Sequence, residues 1–221
     1  MDVYFLEAGQ PLTKRYTSTP AGFDASTPAG IEAESYPHVL DFKSHKHTLN
    51  TLAGFERVLI DHAQRGHCLL KGQLLKELNF ESRAGSTDSN ALTEFLVLDI
   101  DGLPNHTPEE FMFRMNMAHL DYIVQYSASQ GVLPKKGLSC HIFVLLTKPT
   151  SPSQIKQWLI QKNLKEFNEY LTLTRSGVAL HYPLDITACQ NDKLIYIAPP
   201  ICTPPSLDQF GRDRIKLVVK S

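Results

Sequence analysis

Residues 95–102 read FLVLDIDG, and this stretch decides how the rest of the chain is interpreted. Its apolar run with a β-branched member predicts a buried strand, and Asp101-Gly102 predicts the turn that ends it. Alternate residues of a strand face the same side, so Asp99 and Asp101 are expected side by side, roughly 5 to 7 Å apart. Two carboxylates this close repel each other unless a cation lies between them. The stretch therefore predicts a candidate site for Mg²⁺ or Mn²⁺, which prefer hard oxygen ligands.

The same acids also have a purely structural interpretation. Asp-Gly is a common turn pair, and an apolar run followed by two acids also arises by chance. The two acids alone are compatible both with a metal site and with a turn that merely ends the strand.

Apolar spacing predicts further elements on both sides of this strand. Helices are expected at 49–64, closed by Gly66, at 74–78 as a short turn, at 107–119 and at 151–164; strands are expected at 68–70, 122–126, 140–146, 194–197 and 215–219. This interleaved order predicts an α/β (α+β) fold with a mixed β-sheet and flanking helices. We expect residues 1–66 to form an N-terminal lobe packed on a core of residues 67–221.

Composition and charge limit the possible partners. Hydrophobic residues make up 42% of the chain and charged residues 20%, which is typical of a globular protein. The net charge of −1 argues against coating nucleic acid by bulk positive charge, but residues 135–221 hold 12 Lys and Arg against 6 Asp and Glu. The four cysteines form no CxxC pair. No apolar run approaches ~20 residues and no signal peptide is evident, so we expect a cytoplasmic protein without a membrane partner.

Two further motifs follow the acidic strand. Ser139 and His141 share one strand face, and a His beside a Ser can donate hydrogen bonds to a phosphate, although a lone strand histidine is usually structural. Later, Leu184-Asp185 adds a third carboxylate and Lys193 another basic group. Taken alone, Asp185 fits a helix cap or a turn better than a ligand.

In combination and in this order, the motifs resemble those of the archaeo-eukaryotic primase superfamily. Its motifs are an apolar strand ending in DxD, a strand with a small residue, any residue and His, and an apolar residue followed by Asp. The resemblance looks closest to the primases and primase-polymerases of phages and plasmids, and it covers roughly residues 67–200.

The resemblance implies an RRM-like catalytic core that makes oligonucleotides on a single-stranded DNA template, in the replication of a phage, plasmid or other mobile element. Two Mg²⁺ or Mn²⁺ ions would be held by Asp99, Asp101 and Asp185. The implied nucleotide-binding residues are His141, Ser139, Lys136, Lys193 and Arg83. The implied partners are template DNA, nucleoside triphosphates and a replicative helicase, in cis or in trans.

The chain departs from the family pattern at two points. Many relatives carry a zinc-binding stem, and this sequence shows no Cys/His cluster that would form one. Lys193 stands where an Arg is expected, which replaces a bidentate fork by a point charge.

Other readings remain open. FLVLDIDG also resembles the nucleophile strand of haloacid-dehalogenase-type phosphatases, with Asp99 as nucleophile and Asp101 as acid/base. A non-catalytic nucleic-acid-binding module is the alternative outside enzymes. A relaxase interpretation of His45-Lys46-His47 is weak, since bulky apolar flanks are missing, and we expect a surface loop there.

Overall fold

The computed structural model describes residues 1–19, 30–134, 137–174 and 177–220, and these ranges contain a mixture of α-helices and mostly antiparallel β-sheets. The helices are α1 (Leu52–Gln64), α2 (Pro108–Arg114) and α3 (Pro152–Glu166). The strands are β1 (Asp2–Glu7), β2 (Arg15–Ser18), β3 (Ile31–Glu34), β4 (Asp41–Thr48), β5 (Cys68–Leu70), β6 (Glu81–Ser82), β7 (Thr93–Leu103), β8 (Tyr122–Tyr126), β9 (Leu138–Thr150), β10 (Thr172–Leu173), β11 (Leu180–His181), β12 (Leu194–Tyr196), β13 (Ile201–Thr203) and β14 (Ile215–Val218). The predicted α/β (α+β) class is confirmed, but the expected mixed β-sheet is wrong, because every strand pair in the two large sheets is antiparallel. No helix in the described ranges is long and apolar enough to cross a membrane.

Two sheets carry most of the structure. One is four-stranded and antiparallel, in the order β14-β8-β9-β7. The other is five-stranded, in the order β12-β5-β1-β4-β6. Because β5, β6 and β12 join β1 and β4 in one sheet, the expected boundary between residues 66 and 67 falls inside a sheet. A smaller sheet has the order β13-β2-β3, and β10 pairs with β11.

The two faces of the four-stranded sheet bury different partners, as the strand alternation predicts. Leu96 and Leu98 of β7 pack in a cluster with α2 and α3 on one face. Phe95 and Val97 pack on the other face, in a cluster with α1 and the five-stranded sheet. The sheet is therefore covered on both sides, which explains the continuous apolar run in β7.

The helix ends follow the signals in the sequence. Ser151 and Thr107 each form a capping box, with Pro at the first helical position. Gly66, with φ 81°, follows α1 in the left-handed conformation that glycine adopts without strain. There the amide of His67 donates to the carbonyl of His62 at 3.0 Å, which turns the chain back onto the helix.

Three local predictions were wrong. Residues 74–78 form no helical turn, because Leu74 bridges to Thr87 and Leu75 N–H donates to the Ser86 carbonyl. Helix α2 ends at Arg114 rather than near residue 119, because Asn116, with φ 60°, terminates it. Residues 45–47 are not a surface loop but part of β4. Of these three residues Lys46 is exposed, whereas His45 and His47 are partly buried.

Candidate active site

The two acids of the FLVLDIDG stretch lie at the end of β7. The pairing of β7 with β9 is regular from Phe95 to Ile100 and shifts register between Ile100 and Leu103, as it also does between Thr93 and Phe95. Gly102, with φ 72°, supplies the left-handed backbone that this irregularity needs. Asp99 and Asp101 both line one cavity.

His141 lies directly across from Asp99 on the neighbouring strand. Its Nε2 is 3.4 Å from Asp99 Oδ1. On the other side of the ring, Nδ1 is 2.5 Å from the side-chain oxygen of Gln125, which is fully buried in β8. The Gln125 amide nitrogen donates to the Tyr126 carbonyl, so its oxygen faces His141 and accepts the Nδ1 proton. The Nε2 of His141 is thereby aimed at Asp99 and the cavity.

Ser139 contacts the second acid rather than lining the cavity. Its hydroxyl donates to Asp101 Oδ1 at 3.0 Å and accepts the Gly102 amide at 2.9 Å. The side chain is almost completely buried. Ser139 therefore fixes the orientation of Asp101, which differs from the phosphate contact that the resemblance implies.

Asp185 reaches the site through backbone pairing with β7. Its amide donates to the Asp99 carbonyl at 2.8 Å, and Leu184 forms an isolated antiparallel bridge with Ile100. Asp185 also caps a short 3₁₀ helix, Ile186–Cys189, through the Thr187 amide. Asp185 therefore caps a helix, as the sequence alone favours, and also lines the cavity.

Asn163 anchors the segment that carries Asp185. It is fully buried in α3, and its side-chain amide donates to the Leu184 carbonyl at 2.8 Å and to the Leu159 carbonyl at 2.9 Å. Its oxygen accepts the Leu184 amide at 3.2 Å. One side chain thus satisfies both backbone groups of the residue before Asp185.

Asn163→Leu is expected to destabilise the protein by roughly 2 to 4 kcal/mol, because two buried backbone groups of Leu184 lose their partners. Urea unfolding followed by circular dichroism measures the change. Leu164→Asn in the same helix, at a half-exposed position, is the control and should shift stability far less. Equal effects of the two substitutions would contradict the anchoring role.

Lys193 holds the third carboxylate. Its ammonium donates to Asp185 Oδ2 at 2.9 Å and to the Thr187 hydroxyl at 2.8 Å. Burial by itself raises the pKa of Asp185, but the hydrogen bonds from Lys193 and Thr187 outweigh it and hold that pKa below its ordinary value. Asp185 is therefore ionised at neutral pH, with Lys193 as its counter-ion.

These groups share a cavity of about 760 Å³, a volume within the usual range of small-molecule sites. Lys14, Tyr36 and Tyr196 also line it. The two tyrosine rings stack at 3.9 Å between centroids, and the Lys14 ammonium lies 5.0 Å from the Tyr36 ring. Burial, with smaller contributions from neighbouring tyrosines and the Asp99 and Asp101 carboxylates, raises the pKa of Tyr36.

The structure does not bring every predicted residue to this cavity. Arg83 lines a neighbouring cavity of about 690 Å³, where its guanidinium donates to the Asp192 carbonyl at 3.0 Å. Lys136 lies outside the described residues. The cavity thus contains Asp99, Asp101, Asp185, His141 and Lys193, with Ser139 beneath it.

Sequence reasoning missed Gln125, Asn163, Lys14 and Tyr36. A polar residue inside an apolar run was a usable signal for Gln125, because a buried amide needs a partner. For Lys14 and Tyr36 no signal was available, because they come from N-terminal segments far from the motifs along the chain. Comparison with known proteins adds no relative, since no family model, curated protein or solved structure matches the chain.

Proposed function

We propose that the chain is a primase or primase-polymerase that joins nucleotides on a single-stranded DNA template by two-metal nucleotidyl transfer. The observation that carries the proposal is the meeting of Asp99, Asp101, Asp185 and His141 in one cavity. They come from three segments in the order that the primase resemblance requires.

One β-α-β unit of the sheet supports an RRM-like core. β7, α2 and β8 form a split unit in which β9 lies between the two strands, as in ferredoxin-like and RRM-like folds. The last strand differs, because β14 pairs with β8, the second strand of this unit, whereas in those folds the last strand pairs with the first. In this chain the DxD strand is at the edge of the sheet, which leaves its end open to the cavity.

The three carboxylates are of the donor type that hard divalent ions prefer, although their oxygens do not all lie within 4.8 Å of one another. Asp99, Asp101 and Asp185 offer carboxylate oxygens, the ligands that Mg²⁺ and Mn²⁺ prefer. Bound ions of this kind neutralise charge on phosphates and favour attack by a hydroxyl. Ser139 fixes Asp101, and the backbone bond from Asp185 to Asp99 fixes the third acid relative to the first.

The other residues of the cavity suit a nucleoside triphosphate. When protonated, His141 donates from Nε2 to a phosphate oxygen, while Gln125 keeps the ring in place. Lys193 lies within hydrogen-bond distance of Asp185 and offers further positive charge to phosphate. The stacked rings of Tyr36 and Tyr196 line the cavity and offer aromatic surface to a base.

The test is synthesis on single-stranded DNA with labelled nucleotides and Mg²⁺ or Mn²⁺, with products resolved by length. We expect oligonucleotides without a supplied primer, and a loss of about 10²-fold or more in His141→Ala, a magnitude typical of removing one charge-stabilising donor. His119→Ala, an exposed histidine outside the cavity, is the matched control and should keep full activity.

Other outcomes separate the alternatives. Extension of a supplied primer alone would restrict the proposal to a polymerase. Metal-dependent phosphate release without synthesis would replace it by a phosphatase that uses Asp99. Template binding that needs no metal, without turnover, would replace it by a binding module.

A further inference from the structure

A second cluster of titratable side chains lies in the five-stranded sheet, away from the carboxylate cavity. It consists of Glu7 at the end of β1, His45 and His47 on β4, His62 on α1, and His67 after that helix. One nitrogen each of His45 and His67 and one oxygen of Glu7 lie within 4.8 Å of one another. His45 Nε2 is 2.8 Å from Glu7 Oε2, and the His45 and His67 rings stack at 5.2 Å.

The local fold dictates this meeting. Strand pairing places His45 opposite Phe5, two residues before Glu7 on the same strand face. The Gly66 turn returns the chain so that His67 lies next to His62. Three segments that are distant in sequence thus deliver one potential ligand each.

We propose that Glu7, His45 and His67 bind one divalent transition-metal ion of the Zn²⁺ class. Two imidazoles with one carboxylate, plus a position open to solvent, form a recurrent zinc ligand set. Ligand atoms around a tetrahedral zinc lie about 3.4 Å apart, so small side-chain adjustments suffice. Glu7 and His45 are 31% and 26% exposed, which leaves water a route to the ion, whereas His67 is buried.

His62 supports the site from behind. Its Nδ1 is 2.8 Å from His67 Nδ1, and its Nε2 is 2.9 Å from His47 Nε2. An ion on His67 at Nε2, the nitrogen that His62 leaves open, requires Nδ1 of His67 to carry the proton and donate it to His62. His62 then donates to His47, so the relay fixes one tautomer in each ring, as outer-shell partners of metal ligands do.

Zinc binding requires the imidazole ligands in their deprotonated form. A neutral imidazole presents a lone pair to a metal. The ion would join β1, β4 and the segment before β5, which is a different role from catalysis and does not depend on the proposed function.

The experiment is a calorimetric titration of the tag-free 221-residue chain with Zn²⁺, in excess Mg²⁺ so that Mg²⁺ competes for the carboxylate cavity. A parallel titration with Co²⁺ reports ligand geometry through its visible absorption. We expect one equivalent of Zn²⁺ and an absorption band typical of four- or five-coordinate Co²⁺.

Glu7→Gln should weaken Zn²⁺ binding by about 100-fold or more, since loss of an outer-shell partner alone costs about 10- to 100-fold. His67→Gln should weaken Zn²⁺ binding to the same extent. If this substitution at a buried position prevents folding, the result for Glu7→Gln, at a partly exposed position, tests the proposal. His119→Gln is the control and should bind as the unmodified chain does. The proposal is overturned if the unmodified chain takes up no stoichiometric Zn²⁺. It is equally overturned if Glu7→Gln binds as tightly as the control, or if Asp99→Asn rather than Glu7→Gln removes binding.

Discussion

Asp99→Asn is expected to reduce template-dependent nucleotide incorporation by about 10³-fold or more, while the protein remains folded. The substitution keeps the size of the side chain and removes one negative charge from the place where the proposed ions bind. Removing a single preorganised electrostatic group at a reacting centre typically costs about 10² to 10³ in rate. The loss of an ion ligand is expected to reach or exceed the upper end of that range.

The fold should survive because Asp99 holds its neighbours through the backbone. Its carbonyl accepts the Asp185 amide, and this bond does not depend on the side chain. The side chain itself is 21% exposed and faces His141 at 3.4 Å, so an amide fits there without an unpaired buried charge. Asp99→Asn is therefore expected to lower activity without lowering the stability of the fold.

The measurement is primer extension and primer-independent synthesis at saturating Mn²⁺, with circular dichroism as the check on folding. Asp213→Asn, at an exposed position outside the cavity, is the matched control and should retain full activity. Incorporation by Asp99→Asn within about tenfold of the unmodified chain would remove the DxD strand from the mechanism.

The DxD strand was predictable because its information is local. Four apolar residues followed by two acids specify both a covered strand and a polar strand end, and β7 has both. The capping boxes at Thr107 and Ser151 and the glycine after α1 are local in the same sense. Each of these signals lies within a few residues of the structure that it specifies.

The rest depended on which segments meet. The sequence does not state that Lys193 binds Asp185, because that contact follows from the turn made by the 3₁₀ helix between them. Arg83 was placed near the phosphates by resemblance alone, and its loop instead packs beside Asp192. The histidine cluster was invisible because its members are brought together by strand pairing and a helix turn rather than by spacing.

Lys71 is a buried cation that neither site uses. It follows β5 in the chain, is 1% exposed, and donates from Nζ to the Thr93 hydroxyl at 2.9 Å. The ammonium also lies 4.6 Å from the centroid of the Phe95 ring. Burial lowers the pKa of Lys71 to about 7, because the charged form loses its hydration and, within the described part of the chain, no carboxylate forms an ion pair with it.

Lys71→Met is expected to stabilise the protein at pH 6 by roughly 2 to 4 kcal/mol, and by progressively less as the pH rises towards 10. Between about pH 7 and pH 10.5 the unfolded chain keeps the Lys71 proton that the folded chain releases, so the unmodified protein gains up to ~1.4 kcal/mol per pH unit. Below about pH 7 Lys71 is protonated in both the folded and the unfolded state. The free-energy cost of burying its charge then remains, reduced by the hydrogen bond to Thr93 and the contact with the Phe95 ring. Methionine fills the same volume without that cost.

Urea unfolding at pH 6, 8 and 10, followed by Trp158 fluorescence, measures both the size and the slope of the effect. Lys165→Met, whose side chain is 83% exposed on α3, is the control and should change stability little at any pH. Because the ammonium of Lys71 is desolvated and that of Lys165 is not, only the first substitution should flatten the pH dependence. Equal slopes for Lys71→Met and the unmodified chain would mean that Lys71 stays protonated in the folded protein across this range, and that its partners offset burial.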